Sequence, residues 1–462
     1  MGETSRLPRL HHVKKTGISA REEPIMSFEL DPTFAADTEK HFNTLQVHAG
    51  LAPDPVTGSA ALPIYATAAW QFDDAEDAAA KFALSRPGNV YSRLTNTTTD
   101  SIAARVAAIE GAAAAVAVAS GHAAEVLAFT NIAKAGDHIV ASDSLYGGTW
   151  NILLHTLDDL GIKTTFVRNN DIDAFVAATQ ENTKFWYVET IGNPLVDVAD
   201  VPALVDAAKS LNIPVIVDNT FATPYLYRPA DDGAAVIIES LTKWIGGHGA
   251  TIGGAIVDAG TFDWAAVPGK FPTLTEPDES YHGAVWTQAA PAAPFGTRVL
   301  AQRLRDLGPT LSPYAAQLIG LGIETLSLRV QRHSDNALAV AKFLQSHPKV
   351  SWVRYSGLED DPSHEVASRI LKHGFGGVVV FGTKAGRQGG LEVINNVKLH
   401  TLLANVGDAK SLIIHPASTT HSQLTAEQLE AAHLSEDLIR LSVGIEDVKD
   451  ILADLDQALE SV

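Results

Sequence analysis

The strongest constraint in this sequence is a rhythm. Between residues 114 and 257, short apolar runs alternate with longer helical stretches. Strands are expected at 114–119, 138–142, 163–167, 185–189, 215–218, 234–240 and 253–257. Helices are expected from Ser120 to about Ala135, at 150–160 and at 201–210, with a helical turn at 172–177. Strands alternating with helices at this spacing build βαβ units, hence a mainly parallel sheet covered on both faces. In such sheets ligands gather at the carboxyl ends of strands. Ser120, Asp218 and Lys243 all fall just past an expected strand end.

The chain on either side of this core differs in character. Residues 1–40 are low in order signals, and Gly2–Glu23 are polar and basic without an apolar segment, unlike a secretory signal. They read as a disordered tail, or as an upstream extension with Met26 as the natural start. Residues 41–87 read as an extended N-terminal arm. Pro53, Pro55, Gly58 and Pro63 punctuate it and no period is sustained from Phe42 to Trp70. Residues 88–295 form the large domain. The stretch 260–290 is long and lacks a period, as a functional or interface loop would. Residues 296–462 form a smaller α+β domain, with helix over about 295–345 broken near Pro309 and Pro313. Its strands are expected at 350–355, 377–382, 411–414 and 439–443. The 34 basic and 54 acidic residues leave a formal charge of −20, which argues against nucleic acid and anionic membrane as partners. No apolar run is long enough to span a bilayer, so a cytoplasmic enzyme is expected. The absence of cysteine excludes disulfides, thiolate metal sites and cysteine nucleophiles.

Chemistry concentrates in Val236-Ile237-Ile238-Glu239-Ser240-Leu241-Thr242-Lys243, followed by Trp244-Ile245-Gly246-Gly247-His248-Gly249. Were the strand to continue, Ser240 and Thr242 would share one side. Lysine condenses with carbonyls, and the hydroxyls beside it suit a phosphate ester. A carbonyl cofactor carrying phosphate is pyridoxal 5'-phosphate (PLP). Taken alone, the motif is equally an exposed lysine before a glycine turn. Asp218, ending Val215-Ile216-Val217, is either a turn cap or the partner of a protonated pyridine nitrogen. Its place one βαβ step before Lys243 favours the second reading. Ser120-Gly121-His122 opens a helix whose N–H groups can hold phosphate, as any capped helix start can. Only the backbone of His122 is needed there. Tyr146, beside Gly147 and Gly148, can stack on a flat ring. Tyr91 and Arg93 lie in a loop, where arginine suits phosphate. Arg440 sits inside an apolar run and wants a planar anion, such as an amino-acid carboxylate or a structural acid. His248, His415 and His421 match no metal-ligand spacing, so no metal is expected. Neither a P-loop nor a dinucleotide fingerprint is present.

These residues, in this order, resemble the Cys/Met-metabolism PLP-dependent family of fold type I, from about Phe42 to the C-terminus. The resemblance implies a large, seven-stranded-type, mainly parallel sheet domain with a smaller C-terminal α+β domain. It implies Lys243 as the Schiff-base lysine, Asp218 at the ring nitrogen and Tyr146 stacked on the ring. It implies Gly121, His122, Ser240 and Thr242 at the phosphate, joined by Tyr91 and Arg93 from a neighbouring subunit. It places Asn193 near the ring hydroxyl and the substrate carboxylate, Arg440 on that carboxylate, and Asn405 at the substrate. Borrowed residues require a homo-oligomer, a dimer at least, and the family implies a tetramer. The arm Thr44–Ser59, the insertion from Gly269 to Gly283, and Ala404-Asn405-Val406-Gly407-Asp408 are similar to the O-acetylhomoserine sulfhydrylase subgroup. That similarity implies γ-replacement of acetate by sulfide to give homocysteine in methionine biosynthesis, with cystathionine γ-synthase or γ-lyase activity as the alternative. A remoter alternative is an inactive regulator on the same fold. Gly148 stands where methionine γ-lyases carry a cysteine. Asn96-Thr97-Thr98 departs from the family's Asn-Pro-Thr, which predicts a looser loop after Arg93.

Overall fold

The computed structural model describes residues 40–83, 85–419 and 435–462. Apart from Lys40, the expected tail with Met26 lies outside these residues, as does His421. The rhythm folds as a seven-stranded sheet. Its strands are β1 (Ala114–Val118), β2 (His138–Ser142), β3 (Lys163–Val167), β4 (Thr183–Glu189), β5 (Val215–Asp218), β6 (Val236–Glu239) and β7 (Gly254–Asp258). Their spatial order is β1-β7-β6-β5-β4-β2-β3, and only β7 runs against its neighbours. The central strands are β-branched and apolar because both faces are covered. One face packs Trp186, Val188, Val217 and Ile237 against Ile102, Val106 and Leu204. The other packs Tyr187, Ile216 and Ile238 against Leu127 and Phe129.

Alternation therefore decides what each strand end presents. Glu189 lies opposite Asp218 in the parallel register, on the face of Tyr187 and Ile216. Glu239 follows Ile237 onto the opposite face. The second sheet has the order β10 (Thr401–Leu402), β11 (Leu412–Ile414), β12 (Ile439–Ser442), β9 (Val378–Thr383), β8 (Val350–Arg354). The long helix Leu326–Ser346 and the helix Val448–Leu459 cover it, through Ala337, Val340, Leu344, Ile451 and Leu455.

Several expectations need correction. The arm is not wholly irregular, because Phe42–His48 is a helix. Its composition is poor for a helix, and tertiary contacts decide: the buried Gln46 amide donates to Ser327 Oγ at 2.9 Å and accepts from Ser327 N at 3.1 Å. The stretch 260–290 is packed rather than open. Trp264, Phe271, Tyr281 and Trp286 are buried in the core that also holds Phe295. The segment after Arg93 is tied without its proline. Asn96 is buried and accepts from Thr98 N at 3.0 Å. Its amide donates to Tyr65 O and Ser92 Oγ at 2.9 and 3.0 Å. Finally, β6 stops at Glu239, and residues 241–246 turn, with Gly246 N donating to Leu241 O. Ser240 and Thr242 thus do not share a side by strand alternation.

Candidate active site

The turn that carries Lys243 is held from below and above. Below it, Arg329 of the helix Leu326–Ser346 donates to Trp244 O at 2.6 Å, to Ile245 O at 3.2 Å and to Gly322 O at 2.6 Å. Above it lies the loop before β11. A Cβ on Gly407, whose φ is +76°, would stand 2.6 Å from Trp244 N, so only glycine permits the approach. Ser442 Oγ on β12 accepts from Gly407 N at 2.9 Å and fixes that loop. The loop carries Asn405, whose Oδ1 accepts from Lys243 Nζ at 2.6 Å. Burial, and then the charge of Arg440, lower the lysine pKa to about 8.

Asp218 ends β5 on the same side of the sheet as Glu189 and Tyr187. Thr220 N donates to its Oδ1 at 2.9 Å, and Tyr187 lies on the same face of the adjacent strand. Among the described residues no ion pair reaches Asp218, and burial pushes its pKa up to about 6. A half-buried acid in this state lacks a cationic partner. Arg440, from β12, is buried. Its Nη1 donates to Asn193 Oδ1 at 3.0 Å, and no carboxylate of the described residues pairs with it. Burial lowers its pKa to about 10. The guanidinium and the Asn193 amide offer a planar, buried, cationic receptor.

Ser120 caps the helix Gly121–Ile132 by accepting from Ala123 N at 3.0 Å, which leaves the first N–H groups of the helix free for a ligand. A Cβ on Gly121 would stand 2.9 Å from Ser240 Cβ, so the helix start and Ser240 share one small cradle. Tyr146 is half exposed over this space. Its N–H donates to Glu189 Oε1 at 2.6 Å. The imidazole of His122, given no part on sequence grounds, stacks on Tyr146 with centroids 5.5 Å apart and an interplanar angle of 23°. The Thr242 hydroxyl donates to Gly253 O and accepts from Gly253 N, both at 3.1 Å. Tyr91 and Arg93 contact each other, with the guanidinium 5.1 Å from the ring centroid. Both are exposed, and no hydrogen bond or ion pair of the described residues joins them to the Lys243 cluster. The ring nitrogens of His415 go to Ser418 Oγ at 2.9 Å and Glu436 O at 2.8 Å, while His248 Nδ1 meets Gly246 O at 2.7 Å.

Sequence reasoning missed the acids around Asp218. Glu189, Glu125 and Tyr187 are all buried on its face of the sheet. The signal for Glu189 was available, since it ends β4 as Asp218 ends β5. Glu125 gave none.

The donor set fits PLP on several independent counts: an amine with a lowered pKa, a half-buried acid lacking a cation, a glycine-walled cradle at a helix start, and a buried anion receptor. Residues 43–460 match the family of Cys/Met metabolism PLP-dependent enzymes. The chain is 49% identical over 422 residues to a homocysteine synthase of Schizosaccharomyces pombe, covering 91% of this chain and 98% of that one. It is 48% identical over 428 residues to an O-acetyl-L-homoserine sulfhydrylase of Leptospira meyeri, covering 91% and 96%. Among solved structures, an O-acetylhomoserine (thiol)-lyase of Campylobacter jejuni carrying a pyridoxyl-lysine phosphate superposes with a TM-score of 0.87 at 38% identity, over 91% of this chain and all of that one. Sequence match, fold and donor set agree that this chain belongs to the Cys/Met metabolism PLP-dependent enzyme family.

Proposed function

We propose that the chain catalyses γ-replacement on O-acetyl-L-homoserine, in which sulfide displaces acetate and L-homocysteine is released. The observation that carries this reading is the seam at Lys243. The lysine amine lies 2.6 Å from Asn405, and the Arg440–Asn193 receptor stands beside it. Relatives named O-acetyl-L-homoserine sulfhydrylase, at 45% to 48% identity, support the substrate assignment.

Lys243 would hold the cofactor, with Asp218 serving its ring nitrogen and Tyr146 its ring. Gly121, His122 and Ser240 surround the phosphate, and Thr242 supports them by tying the turn to Gly253. When bound, PLP supplies the electron sink that makes substrate C–H bonds acidic. Arg440 and Asn193 grip the α-carboxylate and so aim the Cα proton at Lys243 Nζ. An amine with a pKa of about 8 is partly neutral near pH 7 and can take and return that proton. At Cγ one C–O bond breaks, acetate leaves with its electron pair, and a C–S bond forms to sulfide. Asn405 Oδ1 fixes the lysine amine between these events.

Tyr91 and Arg93, exposed and apart from their own Lys243, are read as serving the phosphate of a neighbouring copy. The enzyme is then a homo-oligomer, a dimer at least and a tetramer by the family pattern. Exposed Tyr314, Leu318 and Leu321 on one helix offer apolar surface for such contacts. Residues 88–295 and 296–462 act as the two halves of the site. Cytoplasmic methionine biosynthesis is the setting that suits this chemistry. Among the described residues no helix is long and apolar enough to cross a membrane.

Steady-state rates with O-acetylhomoserine, O-succinylhomoserine and O-acetylserine, each with sulfide, test the substrate. Fastest turnover with O-acetylhomoserine is expected. Preference for cysteine over sulfide as nucleophile would overturn the reading in favour of cystathionine γ-synthase. Lys243→Ala should abolish turnover. Mixing Lys243→Ala chains with Arg93→Ala chains should restore part of it, because hybrid oligomers contain an intact composite site.

A further inference from the structure

Glu125 lies in the first turns of the helix Gly121–Ile132 and points into the sheet. It is 3% exposed. Two hydroxyls converge on one of its oxygens: Thr149 Oγ1 at 2.6 Å and Tyr187 Oη at 3.1 Å from Oε1. The other oxygen, Oε2, is buried without a partner. No ion pair of the described residues reaches it. The charged or titratable groups facing it are Asp218 from β5, Glu189 and Tyr187 from β4, and Tyr146 ahead of the helix Gly147–Asn151. An ionised Glu125 would be a bare buried charge beside two other acids, and one of its oxygens would lack any donor.

Tyr187 has one hydrogen and two acids beside it: its hydroxyl donates to Glu125 Oε1 at 3.1 Å, and Asp218 sits on the same face of the adjacent strand. If Glu125 were ionised, they would compete for that hydrogen. If Glu125 is neutral, its own O–H donates to Tyr187 Oη, and the Tyr187 hydrogen is released to Asp218. We infer that Glu125 is a positioning residue that holds a proton and, through Tyr187, commits that hydroxyl's hydrogen to Asp218. The relay keeps Asp218 the anionic member of the cluster, where the cofactor's ring nitrogen needs it. Raised pKa values at Glu125, to about 8, and at Glu189, both caused first by burial, agree with this assignment.

The inference rests on Asp218 as partner of the ring nitrogen, so Asp218→Asn is measured alongside. Three readouts are used: affinity of the apo protein for PLP, the pH titration of the bound cofactor's absorbance, and the infrared carbonyl band of neutral carboxylic acids in the apo protein. Glu125→Gln keeps a neutral donor at the same place. It should retain PLP affinity within about twofold while losing infrared intensity at pH 7. Glu125→Met and Tyr187→Phe should each weaken PLP binding about tenfold and shift the absorbance titration. Their double variant should lose little more, because both cut one relay. Three results would overturn the proposal: Glu125→Gln as damaging as Glu125→Met, an unchanged infrared band in Glu125→Gln, or additive losses in the double variant. If Asp218→Asn leaves PLP affinity and spectrum untouched, the assignment of Asp218 fails instead.

Discussion

Two sets of acids sit back to back on the large sheet, and they are built differently. On the face covered by the helix Gly121–Ile132, Asp218, Glu189 and Glu125 each accept hydrogen bonds from named donors: Thr220 N, Tyr146 N, and the hydroxyls of Thr149 and Tyr187. On the other face Glu239 meets Glu110, at the end of the helix Thr97–Glu110, with little else. Asn219 Nδ2 donates to Glu110 Oε1 at 3.3 Å, and neither oxygen of Glu239 has a donor among the described residues. Burial raises both pKa values; Glu110 raises that of Glu239 further, whereas Glu239 acts to lower that of Glu110. The front acids are oriented by donors and open onto a ligand space, whereas the back pair is buried with few donors and raised pKa values. Burial alone therefore does not mark a functional acid. What marks it is a set of donors that fixes the carboxylate while leaving a cationic partner to be supplied from outside.

The comparison breaks first at Asp218. Asp218→Asn should lower kcat/KM by about 10²–10⁴-fold, the range of a lost proton-handling group, while Glu239→Gln should leave it within about twofold. Comparable losses in the two variants, measured in steady-state assays, would erase the distinction between the faces. Next in size is Arg440→Lys. A point charge replaces a planar receptor, and KM for the amino-acid substrate should rise about tenfold or more with kcat less affected.

The back pair should instead appear in stability. A glutamate whose pKa is raised in the folded state binds its proton more tightly there than in the unfolded chain. Stability is then fullest below the ordinary value of 4.5 and falls as pH rises through the raised native values. Glu239→Gln supplies a neutral donor to Glu110 and should stabilise the protein at pH 8 relative to pH 5 by about 1–3 kcal/mol, read by denaturant unfolding at both pH values. Smallest is Thr242→Val, which removes the paired bonds to Gly253. It should cost about 1–2 kcal/mol of stability and only a few-fold in PLP affinity. A total loss of PLP binding would mean that Thr242 contacts phosphate directly.

On the front face Asp218 and Lys243 were legible in the sequence, whereas Glu189 and Glu125 were missed, as was the back pair. Strand ends announce themselves when a β-branched run such as Val215-Ile216-Val217 closes on a charged residue, and Asp218 was readable for that reason. Lys243 was readable from the hydroxyls and glycines around it. The Glu110–Glu239 contact joins a helix end to a distant strand end, and no local pattern encodes that pairing. Glu125 reads as one more polar position early in a helix, because its burial depends on where the sheet lies. The strand alternation expected for Ser240 and Thr242 failed for a related reason. Period-2 reasoning carries a strand forward until something stops it, and here the stop comes from Arg329 gathering the carbonyls of the turn. The Phe42–His48 helix was hidden because Ser327, far along the chain, stabilises it.

The bond from Lys243 to Asn405 has one more consequence. The amine that must move during each turnover is moored to a loop of the other sheet, and that loop hangs from Ser442, two residues along β12 from Arg440. Gripping a carboxylate at Arg440 and repositioning the lysine amine are thus acts of a single short strand. A small molecule that engages only the large sheet could occupy the cofactor's neighbourhood without tugging that strand, and it would leave the lysine tethered and idle. In the proposed mechanism a substrate would engage both sides, its carboxylate at Arg440 and its amine at Lys243, so reach would enter the discrimination among amino acids.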